Sequence, residues 1–520
     1  MAGNQTRQSE LIASLMKPEV YPHPVESLEL IETHISWVIL TGAYAYKIKK
    51  SLKLDFLDFS TLRQRQYFCE EELRLNRRLA PQLYIEVLPI YGSEMSPEFG
   101  GEGRAIEYAL KMHQFQQSAQ LDRQIEAGLL NENDMRDLAA TIAAYHRDAA
   151  VLKFAGEEGA VRQIRAPQLD NFPPINSVTD LITARHIEAW TERSLNELEQ
   201  TLVQRHKQGF VRECHGDLHL KNLVRLPSGI VAFDCVEFNA ALRNIDVISD
   251  LAFLAMDLVA YARQDLAAVL VNRYLECTGD YSGMSVFGLY FVYHCMIRAK
   301  VAAVRHGEES DAVAREHDSA QLKHYLGVAI RWIRRPQPIA IGMHGFSGSG
   351  KTWLSALLMS ELPAIRVRSD IERKRQLALT ETARTQSGPG SGAYTTHART
   401  EIYEVMMEII GSLIEARFSV IADASFLKHT HRKLRAAMAQ RKGVALVWID
   451  ASAGNDELIR RLKYRKALRN DASEAGPDVL EYQYRHADSL TAAELEHTVM
   501  VNTEQPIDPG AIIKSIKSVQ

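Results

Sequence analysis

The apolar positions change period several times along the chain. Between residues 34 and 50 the run "HISWVILTGAYAYKIKK" is rich in β-branched and aromatic residues and breaks once, at Gly42. That pattern predicts a hairpin. Residues 60–79 switch to a helical period, with Ser60 placed to cap and Phe68, Leu75 and Leu79 on one face. Two further strands follow, "YIEVLPIYG" and "RAIEYALKMHQF". From about residue 118 the pattern is helical. "NDMRDLAATIAAYHRDAA", with Asn133 as its expected cap, is the strongest case. A strand–loop–strand island at 209–234 interrupts the helices, which then resume to about residue 333. The first 335 residues therefore predict an α+β bilobal domain: a small β-rich lobe at about 25–115 and a helical lobe at about 116–335.

Pro336 and Pro338 end the last of these helices, and the apolar strand "IAIGMHG" follows. A domain boundary is expected near Arg335. Beyond it, "AIRVRSD", "RFSVIADAS", "GVALVWIDA" and "HTVMVNT" alternate with helical stretches, which predicts a parallel sheet with helices on both faces. Residues 336–520 are thus expected to form an α/β domain. "SGPGSGAYTT" (387–396) reads as a flexible loop within it.

Composition narrows the class. The chain has 520 residues, 46% hydrophobic and 24% charged, which suits a globular protein of two or three domains. A net charge of -4 gives no global positive field for nucleic acid. The five cysteines, at 69, 214, 235, 277 and 295, form no CxxC pair, so neither a zinc knuckle nor a disulfide framework is expected. A reducing cytoplasm is the expected location. No membrane span is expected, because apolar residues nowhere run together for the ~18 positions a crossing needs.

Chemistry enters first at "GFSGSGKTW", where Gly345, Gly350, Lys351 and Thr352 fit G-x-x-x-x-G-K-[ST]. In such a loop the backbone N–H groups of Gly345, Ser347, Gly348, Ser349 and Gly350 turn inward on phosphates. The helix beginning at Lys351 adds a partial positive end. Lys351 is expected to reach the β/γ-phosphates and Thr352 to hold Mg²⁺. Asp370, at the end of the next strand, is placed to accept the proton of an attacking hydroxyl. Asp423 ends an apolar strand in a Walker-B-like position for Mg²⁺. Arg461 and Arg465, one helical turn apart, are candidates for a lid over the transferred group. Residues 338–503 resemble P-loop small kinases grouped with polynucleotide kinases and zeta-toxin-like enzymes. The Asp370-x-x-Arg373 spacing is similar to the base-plus-arginine pair of that group, and "DASEAGPDVLEYQ" (471–483) resembles a stretch typical of predicted bacterial kinases.

The second constellation is "CHGDLHLKN". It places Asp217 and Asn222 five residues apart on a loop, and the strand "GIVAFDCVEF" brings Asp234 twelve residues later. Asp217 suits an acceptor-orienting carboxylate; Asn222 and Asp234 suit Mg²⁺. Lys47 is a candidate for the α/β-phosphates. Glu72 shares the inward face of its helix and could hold Lys47, with Glu70 and Glu71 as alternatives. His215 reads as a structural hydrogen-bonder and Asp250 as a cap or loop-orienting carboxylate. The ordered set resembles the aminoglycoside phosphotransferase family, kin of the protein kinases in fold, over roughly 30–330. That resemblance implies ATP bound between lobes, with Asp217 as catalytic base and Asn222 and Asp234 on Mg²⁺. Two departures stand out. No G-x-G-x-x-G loop precedes Lys47, since "TGAYAYK" offers only Gly42, and "FDCVEF" lacks the aromatic that many relatives carry after the Asp.

The two halves together resemble a fused bacterial protein that uses ATP and Mg²⁺ at two sites to phosphorylate hydroxyl acceptors. A small molecule is the expected acceptor, and a nucleic-acid end is an alternative for the P-loop half. The competing functions are a pseudokinase-like sensor joined to one active P-loop kinase, and an ATP-hydrolysing switch.

Overall fold

The computed structural model describes residues 2–54, 57–154, 156–178, 181–385, 395–468 and 471–519. The chain divides into two compact units. One comprises Met1–Asp134, Ala144–Ala166 and Gln200–Asp257; the other comprises Met135–Ala143, Pro167–Glu199 and Leu258–Gln520.

In the first unit the strands are β1 (Glu29–Glu32), β2 (Ser36–Leu40), β3 (Tyr44–Lys49), the short pair β4 (Lys53–Leu54) and β5 (Leu57–Asp58), β6 (Tyr84–Ser93), β7 (Ser96–Phe99) and β8 (Glu107–His113). Six of them form an antiparallel sheet of order β1-β2-β3-β8-β6-β7. The expected hairpin is β2–β3, in the register Trp37↔Ile48 and Ile39↔Tyr46. Alternation then sorts the faces. Trp37, Ile39, Tyr46 and Ile48 bury against Leu11, Ile12 and Leu15 of an N-terminal helix, Ala2–Leu15. Leu40 and Ala45 face the other way, into a cluster with Leu110, Val224 and Val231. Lys47 and Lys49, at odd positions of β3, share this second face.

The helix Leu62–Asn76 starts one residue later than the apolar pattern suggests. Thr61, not Ser60, is the cap, because its side chain and that of Gln64 satisfy each other's backbone N–H groups. Likewise Asn131, not Asn133, caps Glu132–Asp148, with Asp134 completing the box. In both cases the cap is the residue with an acceptor three positions on, a stronger constraint than where the apolar period begins. The strand–loop–strand island appears as β9 (Val211–Glu213), β10 (Leu223–Leu226) and β11 (Gly229–Ala232), with β12 (Asn244–Asp246) paired to β9.

The second unit contains a five-stranded, all-parallel sheet. Its strands are β13 (Ile339–His344), β14 (Ala364–Arg368), β15 (Ser419–Asp423), β16 (Ala445–Ser452) and β17 (Thr498–Asn502), in the order β14-β15-β13-β16-β17. Helices Gln264–Thr278, Met284–Glu308 and Ala312–Ile333 belong to the same compact unit. Asn272, on the first of them, closes the exposed edge of β14. Its Nδ2 donates to the Ala364 carbonyl at 2.9 Å, and its Oδ1 accepts from Arg366 N at 2.6 Å. Phe291 stacks on Trp332 at 4.3 Å, and Trp332 meets Phe418 edge-on. The segment Tyr281–Glu308 is long and apolar enough to cross a membrane by length and composition, and 67% of its apolar window is buried inside the structure. Of the expected loop 387–396, residues 387–394 lie outside the described residues; Thr395 caps the helix Thr396–Glu415.

Candidate active sites

The first site is assembled from residues far apart in sequence. Lys47 Nζ donates to Glu72 Oε1 at 2.7 Å and to Asp234 Oδ1 at 2.6 Å. Of the three consecutive glutamates, Glu72 is the one turned inward, with a side chain 0% exposed. Glu71 pairs with Arg74 and Arg243, and Glu70 accepts from Gln66. Burial works against both partners of the Lys47–Glu72 pair. Asp234 and then Glu72 overcome it for Lys47, and Lys47 with Lys49 for Glu72, holding Lys47 well above and Glu72 below their ordinary ranges. Asp234 sits in the left-handed region at φ 62°, and its N–H donates to the Tyr84 hydroxyl at 3.0 Å. A non-glycine residue held there is a strained point fixed by its surroundings.

Asp217 and Asn222 come together on the loop. Asn222 Nδ2 donates to Asp217 Oδ2 and to the Asp217 carbonyl, both at 2.9 Å. With its NH₂ so engaged, the amide oxygen is the end of Asn222 suited to a hard cation. His219 Nε2 lies 3.4 Å from Asp217 Oδ2. The loop is held from behind by Asp250, which accepts from His215 N at 2.7 Å and Gly216 N at 2.9 Å. That is the loop-orienting role expected of it. His215 is fully buried, its Nε2 3.0 Å from the Phe233 carbonyl. Burial lowers its pKa against the pull of Asp250, Asp217 and Asp234, so it serves as a structural hydrogen-bonder. Gly42, the glycine of "TGAYAYK", has φ 94° in the β2–β3 turn, where its N–H donates to Gln114 Oε1.

The second site is local. Gly345, Gly348 and Gly350 all have positive φ. A Cβ at Gly345 would stand 2.3 Å from the Ala451 carbonyl oxygen, so only glycine fits there. Lys351 opens the helix Lys351–Glu361, and its Nζ donates to the Phe346 carbonyl at 2.7 Å. Burial pulls Lys351 down to about 8; Asp423, Asp370 and Asp450 act against the fall and Arg465 adds to it. Those four charges all act on one ammonium. Thr352 Oγ1 and Ser355 Oγ donate to the two oxygens of Asp423, at 3.3 and 3.0 Å. This hydroxyl–carboxylate pair is the donor set a hydrated Mg²⁺ takes. Asp370 lies in the first turn of the helix Ser369–Gln376 and is bonded to Arg373. Burial raises the Asp370 carboxyl, but Arg373 overcomes this and keeps its pKa below the ordinary value.

The two lid candidates differ. Arg461 is tied to Glu457, to the Thr503 hydroxyl and, at 3.4 Å, to the Gly348 carbonyl, so it braces the glycine loop. Arg465 donates to the Ala475 carbonyl. Ser347 N donates to Gln483 Oε1 at 2.8 Å, while Gln483 Nε2 donates back to Ser347 Oγ. The Thr503 hydroxyl donates to the Ser349 carbonyl at 2.9 Å. Gln483 ends the stretch 471–483 singled out by resemblance, but its contact with the loop, like that of Thr503, spans more than a hundred residues and has no local signal. Arg368 could have been suspected from its place at the end of β14. Its guanidinium lies 3.9 Å from Asp423 and 3.7 Å from both Asp471 and Glu276.

Residues 341–490 match the family described as an AAA domain. An uncharacterized protein of Mycobacterium tuberculosis is 27% identical over 461 residues, covering 87% of this chain and 89% of the relative. One from Mycobacterium bovis gives the same figures. Among solved structures, a choline kinase from Cryptosporidium parvum is 10% identical, covers 63% of this chain and 96% of its own, and has a TM-score of 0.38. A gluconokinase from Sinorhizobium meliloti is 19% identical, covers 36% of this chain and 93% of its own, and has a TM-score of 0.26. The all-parallel sheet, the glycine cradle and the family match make the part of the second unit from Ile339 to Asn502 a P-loop domain. The antiparallel sheet, the Lys47–Glu72 pair, the loop bearing Asp217 and Asn222, and Asp234 just beyond β11 give the first unit the architecture expected of a protein-kinase-like fold.

Proposed function

We propose that this chain is a bifunctional ATP-dependent phosphotransferase that moves the γ-phosphoryl group to hydroxyl acceptors at two separate sites. The reading is carried by the repetition of one chemical logic in two unrelated settings: an ammonium, a pair of oxygen donors for a cation, and a further carboxylate. In the first unit Lys47 neutralises donor phosphates, while the Asn222 amide oxygen and the Asp234 carboxylate offer hard ligands. Asp217, steadied by Asn222, takes the proton of the acceptor hydroxyl. In the second unit the Gly345–Gly350 backbone and Lys351 take the phosphates, Thr352 and Asp423 hold the cation, and Asp370 with Arg373 receives the acceptor. Mg²⁺, when bound, supplies charge neutralisation of the transferred group. Everything else asked of the protein is positioning and water exclusion. A small-molecule hydroxyl compound is the acceptor this reading favours, and cytoplasmic ATP its donor.

The test is a phosphorylation screen over a metabolite pool with the native chain, Asp217→Asn and Lys351→Met. Each variant should lose one set of phosphorylated products by about 10²–10⁴-fold and keep the other. Retention of every product by both variants overturns the reading. Loss of products with Lys351→Met alone leaves the first unit a nucleotide sensor.

A further inference from the structure

The first site holds a second buried lysine that the scheme above does not use. Lys49 follows Lys47 by two positions on β3, so both project from the same face. Its side chain is 0% exposed, out of reach of a ligand's phosphates. Lys49 Nζ donates to Glu72 Oε2 at 2.7 Å, the oxygen Lys47 leaves free, and also to Glu237 Oε1. Glu237 is 3% exposed and lies three residues after Asp234. The contacts close a ring: Asp234 to Lys47, Lys47 to Glu72, Glu72 to Lys49, Lys49 to Glu237, and back along the chain to Asp234. The intervening backbone is fastened too. Cys235 N donates to Asn76 Oδ1 at 2.9 Å and Val236 N to the His215 carbonyl at 3.1 Å.

The ring contains two cations and three carboxylates, and the bound state must redistribute them. If Lys47 turns to phosphate and Asp234 to a cation, Glu72 keeps a weakened partner. A buried carboxylate left alone is costly. Lys49 remains in place, bonded to both Glu72 and Glu237, so Glu72 keeps a cationic partner when Lys47 turns away. Glu237 anchors the far end of the Asp234 segment to β3, which holds the strained backbone at Asp234 in register while its side chain changes partner.

We propose that Lys49 and Glu237 are positioning residues that set the divalent-cation affinity of the first site by fixing the Asp234 segment to Glu72. The inference rests on the phosphotransferase reading of that site. Outer partners of cation ligands typically change affinity for the cation without contacting it.

The experiment uses the full chain carrying Lys351→Met, which silences the P-loop site. Binding of the non-hydrolysable donor AMP-PNP is measured by calorimetry across a Mg²⁺ titration and in EDTA. Against that background Glu237→Gln, Lys49→Met and the charge-balanced Lys49→Met/Glu237→Gln pair are compared, with Lys49→Arg as the conservative variant. Glu237→Gln and Lys49→Met should each raise the Mg²⁺ concentration for half-maximal binding at least ~tenfold and change metal-free binding less than ~twofold. The double variant should recover melting temperature without recovering the Mg²⁺ midpoint, and Lys49→Arg should recover part of that midpoint. An unmoved Mg²⁺ midpoint overturns the proposal. So does a parallel fall of metal-free and Mg²⁺-dependent binding, the signature of a merely structural role. If the Lys351→Met chain with native Lys49 and Glu237 binds no AMP-PNP at all, the phosphotransferase reading of the first site fails first, and the proposal fails with it.

Discussion

Lys47 and Lys351 have the same expected task and opposite surroundings. Lys47 is held between two carboxylates, Glu72 at 2.7 Å and Asp234 at 2.6 Å. Lys351 donates to a backbone carbonyl, Phe346, at 2.7 Å. Burial disfavours both ammonium groups. In the first site the carboxylates more than compensate and the lysine stays charged far above neutrality; in the second, burial wins and Lys351 falls to about 8. The first site is therefore built from side chains that already neutralise one another, and a ligand must replace internal partners. The second is built from backbone with an under-neutralised cation, and a phosphate would supply the charge the loop lacks. One site stores its electrostatics in the fold; the other leaves them for the ligand.

Substituting each lysine by methionine gives the sharpest break. Lys47→Met leaves Glu72 and Asp234 short of a counter-charge, and breaking such a buried pair costs about 3–5 kcal/mol. Lys351→Met removes an ammonium whose folded-state pKa lies below the 10.5 of a free lysine. At neutral pH that displacement corresponds to roughly 3 kcal/mol of strain, so the variant should be no less stable than the native chain. Denaturant unfolding, with hydrogen exchange to separate the two units, reads both effects. Equal destabilisation by the two variants would erase the distinction.

A smaller effect tests whether the second unit needs helix Gln264–Thr278 to keep its sheet intact. Asn272 is the side chain that satisfies Ala364 O and Arg366 N on the open edge of β14. Asn272→Ala should cost about 1–3 kcal/mol, the penalty for leaving buried backbone groups unpaired. Faster exchange should concentrate at Arg366 and along β14. Exchange that is unchanged there, with unfolding unshifted, would make the helix a neighbour of the sheet without an energetic share in it. The result also bears on the expected boundary near Arg335, since a chain starting at residue 336 lacks Asn272.

The contrast between the sites also explains what the sequence made legible. The P-loop was readable because its parts occupy eight contiguous positions, Gly345 to Thr352, and backbone conformation follows from local spacing. The first site was readable as a set of residue types in order, but not as contacts. Choosing Glu72 over Glu70 and Glu71 needs the helix orientation, and that is set by packing. Lys49 and Glu237 were passed over because nothing in "KIKK" says which lysines are buried. The helix Ala2–Leu15 also escaped notice. Its buried Gln8 donates to Glu107 and to the Lys49 carbonyl, contacts 99 and 41 residues away in sequence. Arg65, which the helical period does not single out, is buried against Glu107 at 2.9 Å. Interactions of this range leave no periodic trace, so pattern reading recovers elements and loops better than the polar contacts between them.

The smallest effect separates the two lysines in solution by pH alone. Lys351 in the ligand-free fold has a pKa of about 8, and only its charged form offers phosphate an ammonium. Between pH 7 and pH 9 the charged fraction falls from about nine-tenths to about one-tenth, so nucleotide affinity at the second site should weaken about tenfold. Lys47 is held well above its usual value, so affinity at the first site should stay flat over the same interval. The comparison of the native chain with Lys351→Met assigns each component, since the variant retains the first site alone. Stability moves in the opposite direction from affinity. Between pH 8 and 10.5 the unfolded lysine holds a proton that the folded one has released, so unfolding binds protons and the fold gains stability as pH rises. Lys351→Met should abolish both trends together. If the affinity trend survives in the variant, it belongs to the first site, and the carboxylates around Lys47 do not hold its charge as their distances imply.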